Sequence, residues 1–251
     1  MSSVDPDFLA TQSFTVLVPV YNEEESLRQF VVEMNHYLAV APVATTVLFV
    51  NDGSTDNSLP IMRDICRQDA RYEFVSLAHN RGLSTALKAG IDHARGSLIG
   101  YIDSDIQTTP MDFLALLPFF PEYDMVTGIR AQRQDSPVKK LSSKVANNFR
   151  RLLINDGIED TGCPLKILKA DYARRIPLFH GMHRFLGALV QLQGGKVKQL
   201  PVRHFPRFAG TAKYNLWNRL WKPLVDTFGY RWIRSRWKNY EIGEQHSHAA
   251  S

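Results

Sequence analysis

Residues 97–107 carry two carboxylates and an amide close together, in the order Asp103, Asp105 and Gln107. An apolar run containing β-branched residues precedes them, which is typical of a buried strand. Because the two aspartates are two residues apart, their side chains can converge with that of Gln107 where the strand ends. Oxygen ligands of this kind suit Mg²⁺ or Mn²⁺ carrying a diphosphate better than they suit zinc. The alternative is that the aspartates cap a helix that begins near Pro110.

Three earlier apolar runs of strand length alternate with segments of helical character, at residues 14–20, 45–50 and 72–77. This order predicts right-handed βαβ units and a mainly parallel sheet, with later strands at residues 123–130 and 196–202. Polar residues follow the three early runs: Asn22 and Glu23, then Asp52, then Asn80. Because the carboxyl ends of parallel strands share one edge, we expect these residues beside the two aspartates, in a pocket for a nucleotide diphosphate. Each of them taken singly could instead cap a helix.

The composition is that of a globular protein, with 44% hydrophobic and 22% charged residues among 251, enough for one large α/β domain and an appendage. No run of eighteen apolar residues is present, and the first residues lack the charged and apolar regions of a signal peptide. We therefore expect a cytoplasmic protein. Cys66 and Cys163 are too few for a disulfide framework and lack neighbouring zinc ligands, so we expect both to be reduced.

Positive charge is concentrated between residues 203 and 238, where nine lysines and arginines accompany one acid, Asp226. The resulting net charge of +8 exceeds the +5 of the whole chain. A polyanionic partner should therefore meet the C-terminal end of the protein.

The same region has apolar residues at helical spacing, which predicts an amphipathic helix. These residues are Trp217, Leu220, Trp221, Leu224, Val225 and Phe228. All four tryptophans lie between residues 217 and 237, interleaved with basic residues. Tryptophan with lysine and arginine is typical of a membrane interface, so we expect peripheral binding to an anionic membrane surface. The alternative is an amphipathic helix simply docked on the preceding domain. The polar tail, residues 241–251, is expected to be disordered.

Four motifs together resemble those of the family 2 glycosyltransferases, and among these the branch that uses polyprenyl phosphates. They are VPVYNEE at residues 18–24, NDGSTD at 51–56, NRG at 80–82 and DSDIQ at 103–107. The resemblance runs from about residue 14 to about residue 214. It implies the GT-A fold, a Rossmann-like α/β fold with a mixed, mainly parallel sheet flanked by helices, in residues 1–212. Residues 213–240 would then form the C-terminal amphipathic appendage.

The resemblance also implies roles for the residues of a donor site. The base and ribose of a nucleotide would be held by Pro19, Tyr21, Glu23 and Asp52, with Asn80 beside them. The metal, Mg²⁺ or Mn²⁺, and the diphosphate would be held by Asp103, Asp105 and Gln107. Arg207 and Lys213 would belong to a loop that closes over the donor. One departure is Leu83-Ser84, where many relatives carry Lys-Gly; Arg81 could replace that lysine.

Residues 130–140 are basic and have no apolar period. The resemblance implies contacts to an acceptor phosphate here, from Arg130 and from Lys139 or Lys140, because arginine binds phosphate through two parallel hydrogen bonds. The alternative is a solvated surface loop. Asp160 is implied to be a base or a carboxylate that orients the acceptor. A polyprenyl phosphate is already largely a dianion at neutral pH, and it needs a base far less than a sugar hydroxyl does.

The implied activity is that of a metal-dependent inverting glycosyltransferase that moves a sugar from a UDP- or GDP-sugar to a polyprenyl phosphate at the cytoplasmic membrane face. Asp105, Asp160, Arg130 and Lys140 would form its reacting centre. One alternative is transfer to a sugar hydroxyl of a glycan or glycolipid. Another is a non-catalytic nucleotide-sugar-binding subunit that works with a separate integral-membrane protein. We expect no nucleic-acid partner because no such binding motif is visible. His180 and His183 are expected to be turn or core residues, since no third metal ligand lies nearby.

Overall fold

The computed structural model describes residues 6–130, 153–206 and 216–239. Its centre is a seven-stranded sheet in the order β3-β2-β1-β4-β6-β5-β7. The strands are β1 Ser13–Val20, β2 Ala44–Asn51, β3 Tyr72–Ser76, β4 Leu98–Tyr101, β5 Met125–Arg130, β6 Lys166–Lys169 and β7 Val197–Val202. β1 to β4 are parallel, β6 runs antiparallel to both of its neighbours, and β7 is parallel to β5. The sheet is mixed and mainly parallel, as predicted.

Helices cover the sheet. The α-helices of the described residues are α1 Pro6–Ala10, α2 Leu27–Leu38, α3 Ser58–Gln68, α4 Leu83–His93, α5 Phe113–Leu116, α6 Ala170–Arg174, α7 Leu186–Leu192 and α8 Leu216–Arg236. Short 3₁₀ turns occur at Pro110–Asp112, Leu117–Phe119 and Met182–Arg184. Within the described part of the chain, no helix combines the length and the hydropathy needed to cross a bilayer.

The core lies on both faces of the sheet. On one face, Val16 and Val18 of β1 belong to the same buried cluster as Phe30 of α2. On the other face, Leu17 of β1 belongs to the same cluster as Leu87 of α4. Strands buried on both faces are apolar at nearly every position. This is why β1 and β2 appear in the sequence as continuous apolar runs.

β6 is the one strand of the described sheet that no sequence pattern predicts, because it has only two apolar residues, with a lysine on each side of them. It lies between β4 and β5 and is antiparallel to both, so that its first residue, Lys166, is opposite Tyr101, the last residue of β4, and opposite Thr127 of β5. A charged residue is thereby placed at the centre of the edge where the polar strand ends meet.

Candidate active site

The turn after β4 holds Asp103, Asp105 and Gln107 at the carboxyl edge of the sheet. Asp105 is buried, and its carboxylate accepts a hydrogen bond of 3.2 Å from the backbone N–H of Gln107. Asp103 accepts a hydrogen bond of 2.7 Å from the hydroxyl of Tyr101. Ile106 has a φ of 59°, a left-handed conformation that β-branched residues rarely adopt. Strained backbone of this kind is typical of functional sites, and here it lies between two candidate ligands.

The structure contradicts the alternative in which these aspartates cap the next helix. The 3₁₀ turn Pro110–Asp112 begins the next helical segment, and its N-terminal cap is Thr109. The hydroxyl of Thr109 accepts a hydrogen bond of 3.3 Å from the N–H of Met111. The cap is therefore supplied by Thr109 and not by either aspartate.

The charges at this turn fit a divalent cation. Burial and the nearby carboxylate of Asp105 raise the pKa of Asp103 above its usual range. A hydrogen bond from Tyr101 and the positive charges of Arg130 and Lys166 act to lower that pKa, and do so less strongly. Two carboxylates that repel each other are stabilised by a cation between them. With an amide oxygen they suit Mg²⁺ or Mn²⁺, which complete their coordination with water and substrate phosphates.

A structural zinc site is closed, with protein side chains in all of its coordination positions. Across residues 6–130, 153–206 and 216–239, no three His, Cys, Asp or Glu side chains cluster so as to hold a metal ion. Structural zinc needs four such ligands.

Hydrogen bonds join the loops after β1 and β2. The side-chain oxygen of Asn22 accepts a bond of 2.8 Å from the N–H of Thr55, and the N–H of Glu23 donates one of 2.9 Å to the hydroxyl of Ser58. Both loops are therefore held in one arrangement at the edge of the sheet. The first loop carries two of the predicted donor-binding residues, Tyr21 and Glu23, and a third, Pro19, is the last but one residue of β1.

Asp52 is buried and organises the turn after β3. One of its carboxylate oxygens accepts hydrogen bonds from the side chain of Asn80 at 2.9 Å and the N–H of Gly82 at 2.8 Å. The other accepts one of 2.7 Å from the N–H of Arg81. The structure thus brings Asp52 and Asn80, both predicted to hold the nucleotide, into direct contact.

Arg130 and Asp160 form a bidentate pair on the other side of β6. The Nε and Nη2 groups of Arg130 each donate a hydrogen bond of 2.8 Å to a different oxygen of Asp160. Burial by itself raises the pKa of Asp160, but the hydrogen bonds and charge of Arg130 outweigh it and hold that pKa at about 2. A carboxylate with so low a pKa is a weak base at neutral pH. The pair therefore favours an orienting role for Asp160 over proton abstraction.

Two residues at this edge, Tyr101 and Lys166, have no role that sequence motifs assign. Lys166 is only 3% exposed, and its ammonium donates to the carbonyl of Cys163 and lies 3.4 Å from the hydroxyl of Thr127. Tyr101 could have been found from its spacing, since it lies two residues before Asp103 along a strand and so shares a face with it. The position of Lys166 at the site could not be found from local spacing in the same way, because its neighbours Tyr101 and Thr127 belong to other strands.

The segment after β7 contacts the turn after β4. The N–H of Phe205 donates a hydrogen bond of 2.9 Å to the carbonyl of Gln107. Arg203 pairs with Asp112, with 2.7 Å between Nη2 and Oδ1. The chain therefore passes beside the candidate metal ligands just before residue 207. The remaining predicted site residues lie outside the described residues: Arg207, Lys213, Lys139 and Lys140.

The two histidines take part in separate contacts. A ring nitrogen of His183 lies 2.9 Å from the hydroxyl of Ser84. Burial, with nearby positive charges, lowers the pKa of His183 to about 3, so its ring is neutral at pH 7. His180 is exposed, and its ring lies 3.5 Å from the carboxylate of Asp226. These contacts agree with the prediction of turn or core histidines.

Two curated proteins resemble the chain over most of its length. It is 30% identical over 226 residues to dodecaprenyl-phosphate galacturonate synthase of Rhizobium johnstonii, covering 88% of this chain and 67% of that protein. It is 29% identical over 212 residues to undecaprenyl-phosphate 4-deoxy-4-formamido-L-arabinose transferase of Edwardsiella ictaluri, covering 84% of this chain and 65% of that protein. The chain thus spans about two thirds of the length of these relatives.

Solved structures share the fold at lower sequence identity. A mannosyltransferase of Pyrobaculum calidifontis, in complex with GDP-Man and Mn²⁺, has a TM-score of 0.67 at 18% identity, covering 92% of this chain and 66% of its own. Glucosyl-3-phosphoglycerate synthase of Mycobacterium tuberculosis, with Mn²⁺, UDP-glucose and phosphoglyceric acid, has a TM-score of 0.68 at 15% identity, covering 93% and 83%. These likenesses, with the sheet described above, confirm the predicted GT-A fold.

A family model also matches the chain. The model described as glycosyl transferase family 2 covers residues 15–176, well over half of the 251 residues. This range includes the three strand-end loops, the turn with Asp103 and Asp105, and the pair formed by Arg130 and Asp160. The chain therefore belongs to glycosyl transferase family 2.

Proposed function

We propose that the protein is a metal-dependent inverting glycosyltransferase that transfers a sugar from a nucleotide-diphospho-sugar to a polyprenyl phosphate at the cytoplasmic face of a membrane. One observation carries the proposal. The carboxylates of Asp103 and Asp105 lie at the same sheet edge as the pair of Arg130 and Asp160, near enough for the charge of Arg130 to oppose the rise in the pKa of Asp103. A site for a metal diphosphate and a site for an anionic acceptor are thus neighbours.

The donor would lie along the first three strand ends. Pro19, Tyr21, Glu23 and Asp52, with Asn80, are the candidates for binding base and ribose. Asp103, Asp105 and Gln107 would hold a Mg²⁺ or Mn²⁺ ion, which when bound neutralises the charge that develops on the departing diphosphate. Arg207 and Lys213 would add positive charge from the loop that follows Phe205. The solved mannosyltransferase, which carries GDP-Man and Mn²⁺, supports a donor and metal of this class.

The acceptor would meet Arg130. Two N–H groups of its guanidinium contact the carboxylate of Asp160, which orients the side chain. Arg130 would bind a phosphate oxygen, and Lys140 would add a second positive charge. The phosphate oxygen would form a bond to the anomeric carbon as the bond from that carbon to the diphosphate oxygen breaks.

This reaction requires no proton transfer, because the attacking phosphate oxygen is already charged at neutral pH. That agrees with an Asp160 whose pKa is about 2. Transfer to a sugar hydroxyl would need a base, and Asp160 is poorly suited to that work. The names of the two curated relatives, which include dodecaprenyl phosphate and undecaprenyl phosphate, support the same acceptor class.

The orientation of α8 supports binding to a membrane surface. Its inward side carries the buried residues Asp226, Thr227 and Tyr230. Asp226 lies 2.9 Å from Nη1 of Arg184. The ring of Tyr230 stacks on Phe185, and its hydroxyl donates to the carbonyl of Ala188 at 3.2 Å. Its outward side carries three exposed apolar side chains, Val225, Phe228 and Trp232, with 53%, 58% and 66% exposure.

Helical spacing puts Val225 and Phe228 on the apolar face that the sequence defines from residue 217. The helix is therefore docked as the alternative supposed, but through the side that carries Asp226 and Tyr230. Arg231, Arg236 and Lys238 are exposed on the same segment. An apolar stripe flanked by positive charge fits an anionic lipid surface, where each basic residue adds about 1 kcal/mol.

A transfer assay tests the activity. Purified protein is mixed with Mn²⁺ or Mg²⁺, a panel of UDP- and GDP-sugars, and undecaprenyl phosphate in detergent. A glycolipid that forms and is lost on adding a chelator is the expected result. If donor binding is seen by calorimetry and no glycolipid forms with any sugar, the assignment of the acceptor is wrong.

A vesicle sedimentation assay tests the membrane surface. We expect the protein to sediment with vesicles containing phosphatidylglycerol more than with vesicles of phosphatidylcholine alone, and less at high salt. Phe228→Ser with Trp232→Ser should abolish this binding. Val40→Ser is the matched control, because Val40 is 56% exposed and follows α2, whose Phe30 is in the core cluster on the other face of the sheet from Tyr230 of α8. Equal sedimentation of the double variant and the control would exclude this surface.

A further inference from the structure

Three polar side chains form a row across β4, β6 and β5. Lys166 is the register partner of Tyr101 on β4 and of Thr127 on β5. Residues directly opposite each other on neighbouring strands project from the same face of the sheet. Tyr101, Lys166 and Thr127 therefore lie side by side, between the turn with Asp103 and the pair formed by Arg130 and Asp160.

The polar row contacts both halves of the candidate site. At one end, the hydroxyl of Tyr101 donates a hydrogen bond of 2.7 Å to Asp103. At the centre, the ammonium of Lys166 donates to the carbonyl of Cys163 and lies 3.5 Å from that of Thr161. These two carbonyls belong to the turn that begins at Asp160, so Lys166 holds the chain that carries the partner of Arg130.

An apolar side chain at the centre of the row would cost less free energy to bury than a lysine does. Lys166 is 3% exposed, and burial lowers the pKa of its ammonium. Burying a charge is unfavourable unless several partners compensate it, and a side chain such as methionine could fill the same space without that cost. The ammonium contacts the carbonyls of Cys163 and Thr161 and the hydroxyl of Thr127, near the carboxyl edge of the sheet.

We propose that the polar row is a positioning device, in which Tyr101 sets the carboxylate of Asp103 for the donor metal and Lys166 sets Asp160, and through it Arg130, for the acceptor phosphate. The proposal rests on the function proposed above. Neither Tyr101 nor Lys166 needs to touch a substrate. Each acts through a side chain that does.

The test separates the two halves of the site. Lys166→Met should raise the KM for lipid phosphate by about tenfold or more, as typical for loss of a supporting residue, with little change in the affinity for Mn²⁺ and nucleotide. Lys166→Arg should restore part of the loss. Lys169→Met is the matched control: Lys169 is on the same strand and pairs with Asp124 at 2.9 Å, away from the row.

Tyr101→Phe should do the reverse. Titration calorimetry with Mn²⁺ and UDP or GDP should show affinity weakened by about tenfold, while the KM for lipid phosphate changes little. This measurement needs no transfer activity. If wild-type protein makes no glycolipid, the proposed function fails, and the titration still decides whether Tyr101 supports the metal site.

Folding of each variant is checked by circular dichroism and melting. Lys166→Gln, which keeps a polar side chain of similar length without the charge, replaces Lys166→Met if the latter does not fold. Two results would overturn the proposal. One is that the Lys166 variants change both affinities equally, or no more than Lys169→Met does. The other is an unchanged Mn²⁺ affinity in Tyr101→Phe.

Discussion

Arg130 holds Asp160 through two parallel hydrogen bonds of 2.8 Å, and the backbone N–H of Arg130 donates a third, of 3.1 Å, to the same carboxylate. Asp160 is buried and 30 residues away in sequence. The pair joins the end of β5 to the turn that precedes β6. Because both charges are largely removed from water, each depends on the other for compensation.

The pair should make stability depend on pH in acid. The pKa of Asp160 is about 2 in the folded protein, against an ordinary 3.8. A lowered pKa stabilises the folded state above about pH 4, and that stabilisation, about 2–3 kcal/mol, is lost as the pH falls through about 2. Asp160→Asn should therefore lower the free energy of unfolding at pH 7 by about 3 kcal/mol or more and flatten its dependence on pH in this window.

Denaturant unfolding at a series of pH values checks this prediction. Asp64→Asn is the control, since Asp64 forms an exposed pair with Arg67 at 2.9 Å. Exposed pairs contribute little to stability, so this variant should follow the wild type. The same pH slope in Asp160→Asn and the wild type would contradict the role given to the pair.

Loss of a candidate metal ligand should abolish transfer without unfolding the protein. Asp105→Asn keeps the shape of the side chain and removes its charge, so we expect the transfer rate to fall by about 10²- to 10³-fold. The affinity for Mn²⁺ with nucleotide should fall as well, by titration calorimetry. Asp92→Asn, a change at an exposed partner of Lys88, should leave both unchanged. Retained transfer in Asp105→Asn would remove Asp105 from the site.

Gly53 should be irreplaceable for a steric reason. Its φ is 65°, and a Cβ there would lie 2.5 Å from the backbone nitrogen of Asn80. Backbone cannot move aside as a flexible side chain can, so Gly53→Ala should destabilise the fold by about 1–3 kcal/mol and weaken nucleotide binding. Gly157→Ala isolates the clash, because Gly157 has a similar φ of 68° with nothing within 4 Å. Equal melting temperatures of the two variants would show that the close approach of Gly53 to the backbone of Asn80 does not affect stability.

Docking of α8 should depend on Gly181. Its φ is 80°, and a Cβ added there would overlap the carboxylate of Asp226, which Arg184 binds at 2.9 Å. Gly181→Ala should therefore displace the side of α8 that carries Asp226 and expose the helix to trypsin. Gly194→Ala, with a φ of 87° and open space around it, is the matched control. Equal rates of limited proteolysis in the two variants would mean that this contact does not hold the helix.

The sequence by itself determined the sheet edge and its polar residues. Apolar runs and the polar residues that end them are local patterns, so β1 to β4 and the positions of Asp52, Asn80, Asp103 and Asp105 follow from reading them in order. The family motifs added the expected roles. The bounds differ little: the first strand begins one residue before the predicted residue 14.

The tertiary structure alone decided which of these residues meet. The insertion of β6 between β4 and β5 brings Lys166 beside Tyr101 and Thr127, across separations that no local period records. The tertiary structure likewise decided that Arg130 pairs with Asp160, because the two residues are 30 positions apart in sequence. The tertiary structure also decided which side of α8 is buried, because a helical period defines an apolar face but does not determine what packs against it. In the structure the side of α8 with Asp226 and Tyr230 is buried, and Phe228 and Trp232 are exposed.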